Sequence, residues 1–429
     1  MKTKIYMETF GCSFNQASSE IMQGILLDNK CDLVTSIIHS DFIIINTCIV
    51  KTNTEARILN RIKEYTEKFP EKGLLITGCM PEVLSDKLLP LNPKISMLGP
   101  HFTTEILNAI QSMIKGEQFI QIGKRKEQKL CLPRNIQQPT IAKVQIAQGC
   151  LNNCAYCITK HAMGSLHSYS SRKIVEEIKL DLNKGCKEIW LTAQDTGCYG
   201  SDSKSSLPEL LKTIVQIPSE FRIRIGMMNP RSFLDIQENM TEILPHLKIY
   251  NFLHIPIQSG NGEILKKMNR QYSISEIQDV LIKFREIISD LSLSMDVIVG
   301  FPSETNDQFE DTISLIEQIK PDIVNISKFG ARPKTLAAKM KPVPTKIVKS
   351  RSTRLSIICN EISKSQNLNY MNNFPIQRVL IVSIGKKGGV IGRTSNYKPV
   401  ILEEKCDLGK FYDVKLVEAS KNHLKGLLI

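Results

Sequence analysis

The sequence predicts an α/β protein in three parts: an N-terminal parallel α/β sheet domain, a central partial (β/α)6 barrel and a small C-terminal all-β barrel. Three observations predict it. Short β-branched runs alternate with helix-period segments up to residue 125, a second alternation follows from residue 140, and short strands with glycine turns fill the end of the chain. We place the domains at residues 1–125, 140–370 and 371–429, with a polar, basic linker at 126–139.

The first 125 residues read as a βαβαβ pattern. Lys4–Thr9, Asp41–Asn46 and Leu74–Thr77 have the composition of strands, and Gln16–Asp28 and Asn53–Phe69 have the period of amphipathic helices. Strands that alternate with helices in this way form a parallel sheet with right-handed crossovers.

The second alternation predicts a partial barrel, because it holds fewer than the eight strand–helix units of a closed one. Its strands are predicted at Lys143–Ala147, Glu188–Thr192, Arg222–Gly226, Asn251–Ile257, Ser294–Val299 and Asp322–Ser327. Its helices are predicted at Ser171–Asn183, Leu207–Gln216, Phe233–Leu244, Ser273–Ser289 and Asn306–Gln318. Capping-box spacings at Ser273 and Thr305 mark the starts of two helices.

The C-terminal part begins with a basic helix from Thr345 to about Asn367. Short strands follow, in the pattern of small β-barrels that bind oligonucleotides. They are predicted at Gln377–Ser383, Val390–Thr394, Pro399–Leu402, Tyr412–Glu418 and near Leu424.

Composition narrows the possible environment. The chain is 42% hydrophobic with 12 cysteines, but its longest apolar runs fall far short of the ~18 residues that span a bilayer. The N-terminus has no signal-peptide pattern. We therefore expect a cytoplasmic protein without a membrane partner, whose cysteines are metal ligands, reactive thiols or core residues.

The strongest motif is a C-x3-C-x2-C run formed by Cys150, Cys154 and Cys157, just after a predicted strand. Three thiolates so close in sequence can hold a four-iron cluster and leave one iron open. The alternatives are a zinc site completed by His161 or His167, or a chance group of buried cysteines.

Cys12, Cys48 and Cys79 form a second set, because each directly follows a predicted strand. In a parallel sheet they would meet at the carboxyl edge, where ligands bind in open α/β folds. Gly11 and Gly78 would let the backbone turn tightly there. The alternative is three buried core cysteines.

The cysteine loop after the first strand of a partial barrel resembles the radical S-adenosylmethionine superfamily. The resemblance implies an open iron that chelates S-adenosylmethionine, whose reductive cleavage gives a 5′-deoxyadenosyl radical. It also implies that Tyr156, the aromatic residue before the last cysteine, lies near the adenine; alternatively Tyr156 is a packing residue.

The motifs around the second cysteine set resemble the methylthiotransferase family over essentially the whole chain. They are Thr9–Asn15, Ile45–Cys48, Thr77–Cys79, His254–Gly260 and Gly300–Thr305. The resemblance implies two [4Fe–4S] clusters, of which the auxiliary one is held by Cys12, Cys48 and Cys79. It also implies S-adenosylmethionine as a cofactor and a TRAM-like C-terminal barrel that binds RNA. No catalytic residue is implied beyond the cluster ligands.

Two segments, Cys157–Ala162 and Trp190–Gly197, are most similar to the archaeal and eukaryotic subgroup that acts on N6-threonylcarbamoyladenosine next to the tRNA anticodon. The implied reaction inserts a methylthio group at C2, with a low-potential electron donor and a sulfur donor as partners. The alternatives are isopentenyladenosine in tRNA, a protein side chain, or an iron–sulfur regulator that binds RNA without turnover. Two positions depart from the family pattern: Met163 stands where the family usually has Arg, and Lys334 stands where it has Gly.

Polar residues after the barrel strands are candidates for S-adenosylmethionine binding. Gln194 and Asp195 follow the second strand, and Gln258 and Glu304 follow the fourth and fifth. A carboxylate and an amide at such an edge can bind an ammonium group. The alternative for Asp195 is a turn cap.

The formal charge of +13 is unevenly distributed. Residues 1–333 carry a net +1, whereas residues 334–429 hold 18 basic and 6 acidic residues, a net +12. A basic helix beside a β-barrel favours tRNA binding over a merely solvated basic face. We assign this role to Lys339, Lys341, Lys346, Lys349, Arg351, Arg354, Arg378, Lys386, Lys387, Arg393 and Lys398, with Tyr397 and Tyr412 for stacking.

Overall fold

The computed structural model describes residues 2–386 and 388–429; Lys387, one of the predicted RNA-binding residues, lies outside them. The chain divides into two compact units. The first comprises residues 1–137, 143–177 and 330–338, and the second residues 138–142, 178–329 and 339–429. In the described part of the chain, no helix combines the length and the apolar character needed to cross a bilayer.

The first unit is built on a parallel sheet, as predicted, with strand order β2-β1-β3-β4-β5-β6. Its strands are β1 (Lys4–Thr9), β2 (Asp32–Val34), β3 (Phe42–Thr47), β4 (Gly73–Gly78), β5 (Ser96–Leu98) and β6 (Ile120–Gln121). Its helices are α1 (Ser13–Asp28), α2 (Thr52–Lys68), α3 (Cys79–Leu88) and α4 (Ile106–Ile114), with 3-10 turns at Ile37–His39 and Thr103–Glu105.

Both faces of this sheet are covered by helices, which explains why its strands are continuous apolar runs. Successive residues of β3 face opposite sides: Ile43 and Ile45 pack into one hydrophobic core, and Ile44 packs into the other. All three side chains are at most 1% exposed. The period of two that defines a strand thus supplies both layers of the unit.

The chain then forms short elements around the cysteine loop. They are β7 (Ile141–Gln145), β8 (Ala147–Gln148), α5 (Thr159–Met163), β9 (His167–Ser168) and α6 (Ser171–Asn183). Strands β8 and β9 pair antiparallel on either side of the loop and α5. β7 and α6 each cross the division between the two units.

The segment predicted as a linker carries buried charge in the first unit. Arg134 donates to Glu20 at 2.8 Å and to Glu177 at 2.6 Å, and Lys143 donates to Glu20 at 2.8 Å. Each of these side chains is at most 3% exposed. Two cations and two carboxylates therefore compensate one another away from water, where an unpaired charge costs several kcal/mol.

The second unit contains the remaining barrel strands. They are β10 (Glu188–Thr192), β11 (Arg222–Ile225), β12 (Phe252–His254), β13 (Ser292–Val299) and β14 (Ile323–Lys328). The helices are α7 (Leu207–Ile214), α8 (Pro230–Ile243), α9 (Gly262–Lys267), α10 (Ile274–Ile287) and α11 (Asn306–Ile319). A 3-10 turn lies at Thr196–Cys198, and another at Leu336–Lys339 crosses the division between the two units. Both predicted capping boxes are present, at Ser273 with Glu276 and at Thr305 with Gln308.

The barrel strands are hydrogen bonded in two three-stranded groups, ordered β11-β10-β7 and β12-β13-β14. A parallel bridge between Ile223 and Ile249 joins β11 to the segment before β12, and the Met228 amide donates to His254 O at 2.9 Å. The partial (β/α)6 barrel predicted from the sequence is therefore confirmed, with fewer hydrogen bonds between β11 and β12 than between the strands within each group.

The C-terminal part consists of α12 (Thr345–Asn373) and a closed barrel with strand order β15-β16-β17-β19-β18. The strands are β15 (Ile376–Ile384), β16 (Val390–Arg393), β17 (Pro399–Leu402), β18 (Phe411–Ala419) and β19 (Leu424–Leu428). Helix α12 continues about six residues beyond its predicted end because Asn367 donates to Ser420 O at 2.8 Å and Tyr370 packs in the barrel core.

The buried charge cluster around Arg134 yields a prediction for stability. We expect Arg134→Met to lower the free energy of unfolding by about 3–5 kcal/mol, because Glu177 loses its guanidinium partner while still buried. Urea unfolding followed by far-UV circular dichroism measures the loss. Lys63→Met removes an exposed pair with Glu67 and should cost less than about 1 kcal/mol. Equal losses in both variants would contradict a special role for the buried cluster.

Candidate active site

The sheet register brings Cys12, Cys48 and Cys79 to one edge; we call them the auxiliary triad. Thr9 aligns with Asn46 across β1 and β3, and Thr47 aligns with Gly78 across β3 and β4. Each cysteine therefore leaves its strand at the same level. Cys12 is exposed, whereas Cys48 and Cys79 are 7% and 6% exposed, so the triad spans from the surface to the core.

Two side chains that the sequence analysis did not single out tie these strand ends together. Asn15 donates to Phe10 O at 3.0 Å and to Thr47 O at 2.7 Å. Thr47 donates through its hydroxyl to Thr77 O at 2.6 Å and accepts from the Met80 amide at 3.1 Å. The segments around all three cysteines are thus cross-linked by hydrogen bonds that do not involve the thiols.

Gly11 and Gly78 both have positive φ values, +114° and +87°. A β-carbon at Gly11 would lie 2.8 Å from Cβ of Cys48, and one at Gly78 would lie 2.3 Å from Oδ1 of Asn46. Each distance is far below van der Waals contact. The backbone therefore approaches the neighbouring strand end so closely that only glycine fits.

The thiols of the auxiliary triad act on one another electrostatically. Burial raises the pKa of Cys79 well above its usual value, and the charges of Cys48 and Cys12 raise it further, whereas Lys129 and Lys124 lower it. Burial likewise raises the pKa of Cys48, and Cys12 adds to that shift. Buried thiols such as Cys48 and Cys79 become thiolates when a positively charged metal centre compensates them, so the donor set fits an iron–sulfur cluster.

Cys150, Cys154 and Cys157, the loop triad, are held by a tight backbone loop. The Cys157 amide donates to Cys154 O at 3.1 Å, the Cys150 amide donates to Gly164 O at 3.3 Å, and the Lys160 ammonium donates to Cys150 O. Burial raises the pKa of Cys157, and the neighbouring Cys154 raises it further. Cys157 therefore resembles Cys48 and Cys79 in that burial and a neighbouring cysteine both disfavour its thiolate.

Within residues 2–386 and 388–429, no three His, Cys, Asp or Glu side chains approach closely enough to hold one metal ion. The alternative of a zinc site formed by the loop triad with His161 or His167 stays a prediction as well. Ligands of a [4Fe–4S] cluster bind different irons and so are spread over a larger polyhedron. The predicted ligand roles of all six cysteines stay predictions.

Helix α5 connects the loop triad to the auxiliary triad within the first unit. Met163, at the end of α5, is 1% exposed and lies in the hydrophobic core that contains Cys48 and Cys79. Its Sδ atom is 4.0 Å from Sγ of Cys79. Tyr156 is half-buried in the loop, and its role near the adenine stays a prediction.

In the second unit, Gln194 and Asp195 follow β10 at its carboxyl end, as predicted. Oδ1 of Asp195 accepts from the amides of Gly197 at 3.1 Å and Asn229 at 3.0 Å, and Oδ2 accepts from the Ser232 hydroxyl at 2.7 Å. Burial raises the pKa of Asp195, against these hydrogen bonds. The carboxylate caps a turn and positions the start of α8; contact with S-adenosylmethionine stays a prediction for both residues.

Gln258 and Glu304 also lie beyond strand ends in the second unit. Gln258 has a φ of +68°, and its backbone N–H group donates to Asp296 O at 2.8 Å. Oε2 of Glu304 accepts from the Gly300 amide at 2.9 Å and from Arg351 at 2.8 Å. Burial raises the pKa of Glu304. Contact with S-adenosylmethionine stays a prediction for both residues. Glu304 already has a buried cationic partner in Arg351.

The C-terminal basic residues divide into two groups. Lys339, Lys341, Lys346 and Lys349 are exposed and form no ion pair within the described part of the chain. Others are engaged inside the second unit: Arg351 with Glu304, Arg354 with Glu310, Arg378 with Glu220 and Lys398 with Asp322. The assignment of Arg351 and Lys398 to an RNA-binding surface is wrong, because both are buried at 6% exposure.

Tyr397 is half-buried, and its ring already packs against other side chains of the second unit, so its role in base stacking stays a prediction. Its ring centroid lies 5.0 Å from those of Tyr250 and Phe252, and the Arg393 guanidinium is 4.4 Å from its ring centroid. These contacts join β16 and its turn to the barrel strands of the second unit. The sequence contained a signal for the burial of Arg351, because Val348, Arg351 and Leu355 share one helical face. The basic composition of the segment nevertheless favoured the prediction of an RNA-binding residue.

Models of three known families match consecutive parts of the chain. "Uncharacterized protein family UPF0004" matches residues 4–99, "Radical SAM superfamily" matches residues 144–316, and "TRAM domain" matches residues 372–429. The first match contains the auxiliary triad and the second contains the loop triad. These matches define a radical S-adenosylmethionine enzyme with a C-terminal TRAM domain.

Full-length relatives specify the family. A protein of Methanothermobacter thermautotrophicus named "Probable threonylcarbamoyladenosine tRNA methylthiotransferase" is 39% identical over 98% of this chain and 98% of its own length. The human protein named "Threonylcarbamoyladenosine tRNA methylthiotransferase" is 33% identical over 99% of this chain and 73% of its own length. The chain belongs to the threonylcarbamoyladenosine tRNA methylthiotransferase family.

Solved structures agree at the level of the fold. The radical S-adenosylmethionine methyltransferase TsrM from Kitasatospora setae, with cobalamin and a [4Fe-4S] cluster bound, has a TM-score of 0.58 at 10% identity, covering 79% of this chain and 74% of its own. The cobalamin-dependent radical enzyme OxsB has a TM-score of 0.51 at 12% identity, covering 84% of this chain and 56% of its own. The shared feature is the fold alone.

The close approach at Gly11 yields a prediction for cluster assembly. We expect Gly11→Ala to lower the iron content of anaerobically reconstituted protein from about eight to about four per chain, because the new methyl group displaces Cys48. Iron and sulfide analysis measures the loss. Gly116→Ala is a matched control: φ is +78°, but a β-carbon there meets nothing within 4 Å. Eight irons in Gly11→Ala, or an equal loss in the control, would contradict the prediction.

Proposed function

We propose that this chain converts N6-threonylcarbamoyladenosine next to the anticodon of tRNA to its 2-methylthio derivative. The observation that carries the proposal is the pair of cysteine triads in one compact unit of a chain that is similar along its whole length to relatives named for this activity. The target C2–H bond offers no acidic proton, so general acid–base catalysis does not reach it and radical chemistry does.

The cofactors are two [4Fe–4S] clusters and S-adenosylmethionine. We assign the auxiliary triad to one cluster and the loop triad to the other. When bound, the loop cluster and S-adenosylmethionine supply a 5′-deoxyadenosyl radical, and the auxiliary cluster carries the sulfur. The triads, with three cysteines each, leave one iron of each cluster without a protein thiolate.

Residues around the triads hold the cysteine-bearing segments in place. Asn15 and Thr47 fix the strand ends that carry the auxiliary triad, and Lys160 holds the loop through Cys150 O. In the second unit, Asp195 and Glu304 use their carboxylates to order the loops that follow β10 and β13. Such preorganisation keeps reactive groups in position without reorganisation during the reaction.

The RNA partner is the best supported one. A family description and the names of the relatives point to tRNA, and four exposed lysines precede or begin α12. A low-potential electron donor and a sulfur donor complete the set of partners that the reaction requires. We place the protein in the cytoplasm, where its tRNA substrate and reduced cysteines would be found.

The substrate is tested by nucleoside analysis of tRNA from a strain that lacks this chain. We expect the 2-methylthio-threonylcarbamoyl nucleoside to disappear, and its precursor to accumulate, when digested tRNA is measured by mass spectrometry. The wild-type gene should restore the modified nucleoside, whereas Cys157→Ser or Cys12→Ser should not. Persistence of the modified nucleoside in the deletion strain, or loss of a methylthio-isopentenyl nucleoside instead, would refute the proposed substrate.

The exposed lysines of α12 yield a prediction for tRNA affinity. We expect Lys346→Ala combined with Lys349→Ala to weaken tRNA binding and to reduce the slope of log K against log salt by roughly 1.5, as for the loss of two phosphate contacts. Filter binding over a range of salt concentrations measures both. Lys410→Ala, which removes a lysine paired with Asp407, is the control and should leave the slope unchanged. An unchanged slope in the double variant would exclude these lysines from the RNA interface.

A further inference from the structure

Lys124 lies where the segment after the auxiliary triad meets the segment after the loop triad. Its ammonium group donates to Oε1 of Glu82 at 2.6 Å and to the carbonyl oxygens of His161 and Ala162, both at 2.8 Å. Oε2 of Glu82 accepts from the Gly123 amide at 2.8 Å. All three ammonium protons therefore have partners on two different helices.

The two helices are those that carry the cluster ligands. Cys79 is the first residue of α3, and Glu82 lies in the first turn of that helix. α5 begins two residues after Cys157, and Lys124 binds carbonyl groups at its C-terminal end. A carboxylate at the start of one helix and a cation at the end of another are both favourable for the helix dipoles.

Helix α5 depends on such tertiary contacts, because its five residues cannot form a stable helix alone. Its buried face supplies Ala162 and Met163 to the core around Cys48 and Cys79, and α3 packs against α5. The Met163 thioether completes this contact at 4.0 Å from Sγ of Cys79. A shift of α5 relative to α3 would therefore move the loop triad relative to the auxiliary triad.

We propose that the Glu82–Lys124 pair is a clasp that fixes the separation of the two cluster sites, with Lys124 as a positioning residue for methylthio transfer. The inference rests on the proposed function. A radical generated at one cluster and a sulfur group held at the other must reach the same C2 atom, so a change in separation lowers transfer more than it lowers S-adenosylmethionine cleavage.

The first test uses protein without clusters. We expect Lys124→Met to accelerate hydrogen–deuterium exchange at the amides of Ala162 and Gly164 by tenfold or more, which corresponds to about 1.4 kcal/mol of local stability. Lys124→Arg, which keeps a cation and several donors, should exchange at close to the wild-type rate. Lys115→Met, at an exposed lysine after α4, is the control. Wild-type exchange in Lys124→Met would overturn the clasp.

The second test uses reconstituted enzyme with dithionite as reductant, sodium sulfide as sulfur source and tRNA from the deletion strain. We expect Lys124→Met to keep eight irons and to cleave S-adenosylmethionine, but to form at least tenfold more 5′-deoxyadenosine per methylthio nucleoside than wild type. Electron paramagnetic resonance of the reduced protein should show altered spin–spin interaction between the clusters. A wild-type ratio with wild-type spectra would overturn the proposal.

Glu82→Gln keeps the clasp falsifiable if Lys124→Met does not assemble its clusters. The amide retains the shape of the side chain but removes the charge that faces Lys124, so a smaller change in the same ratio is expected. An unchanged ratio in Glu82→Gln would then overturn the proposal. Failure of the proposed function can be told apart from failure of the clasp. If the proposed function were wrong, the wild-type enzyme itself would hold four irons or make no methylthio nucleoside.

Discussion

The register of the N-terminal parallel sheet is the constraint on which the rest of the first unit depends. Because β1, β3 and β4 run in the same direction and end at the same level, three cysteines far apart in sequence leave the sheet at one edge. The close packing of these strand ends excludes any β-carbon at Gly11. A shift of one residue in any strand would turn a cysteine to the opposite face.

Burial gives the cysteines their chemical character. The thiols of Cys48, Cys79 and Cys157 all have raised pKa values because burial disfavours thiolates, and neighbouring cysteines add to the effect. A fold that places several such thiols together is poorly suited to hold them ionised without a cationic centre, and well suited to hold an iron–sulfur core. The nearby ammonium groups of Lys124 and Lys129 partly offset this cost at Cys79.

The positive charge of the C-terminal region serves two purposes that composition does not distinguish. Arg351 and Lys398 are buried beside Glu304 and Asp322, where they stabilise the packing of α12 and the β-barrel within the second unit. Lys346 and Lys349 remain exposed, as the proposed contact with tRNA requires. Removing a charge of the first kind should affect folding, whereas removing one of the second kind affects binding and its salt dependence.

The α/β class, most element positions and both cysteine sets could be predicted from the sequence, because hydrophobic period, capping signals, the close spacing of the loop triad and the place of the auxiliary cysteines after strands are local features. The partners of the buried charges follow from the tertiary structure. The ion-pair partners of Arg134, Arg351 and Lys398 lie 43 or more residues away in the chain. Lys124 likewise binds Glu82 and the end of α5, which belong to other segments. Such pairings depend on helix and strand packing: a local pattern such as the apolar helical face that includes Arg351 can indicate burial, but it does not identify the partner. The same reason places the Met163 thioether beside Cys79, 84 residues distant in the chain.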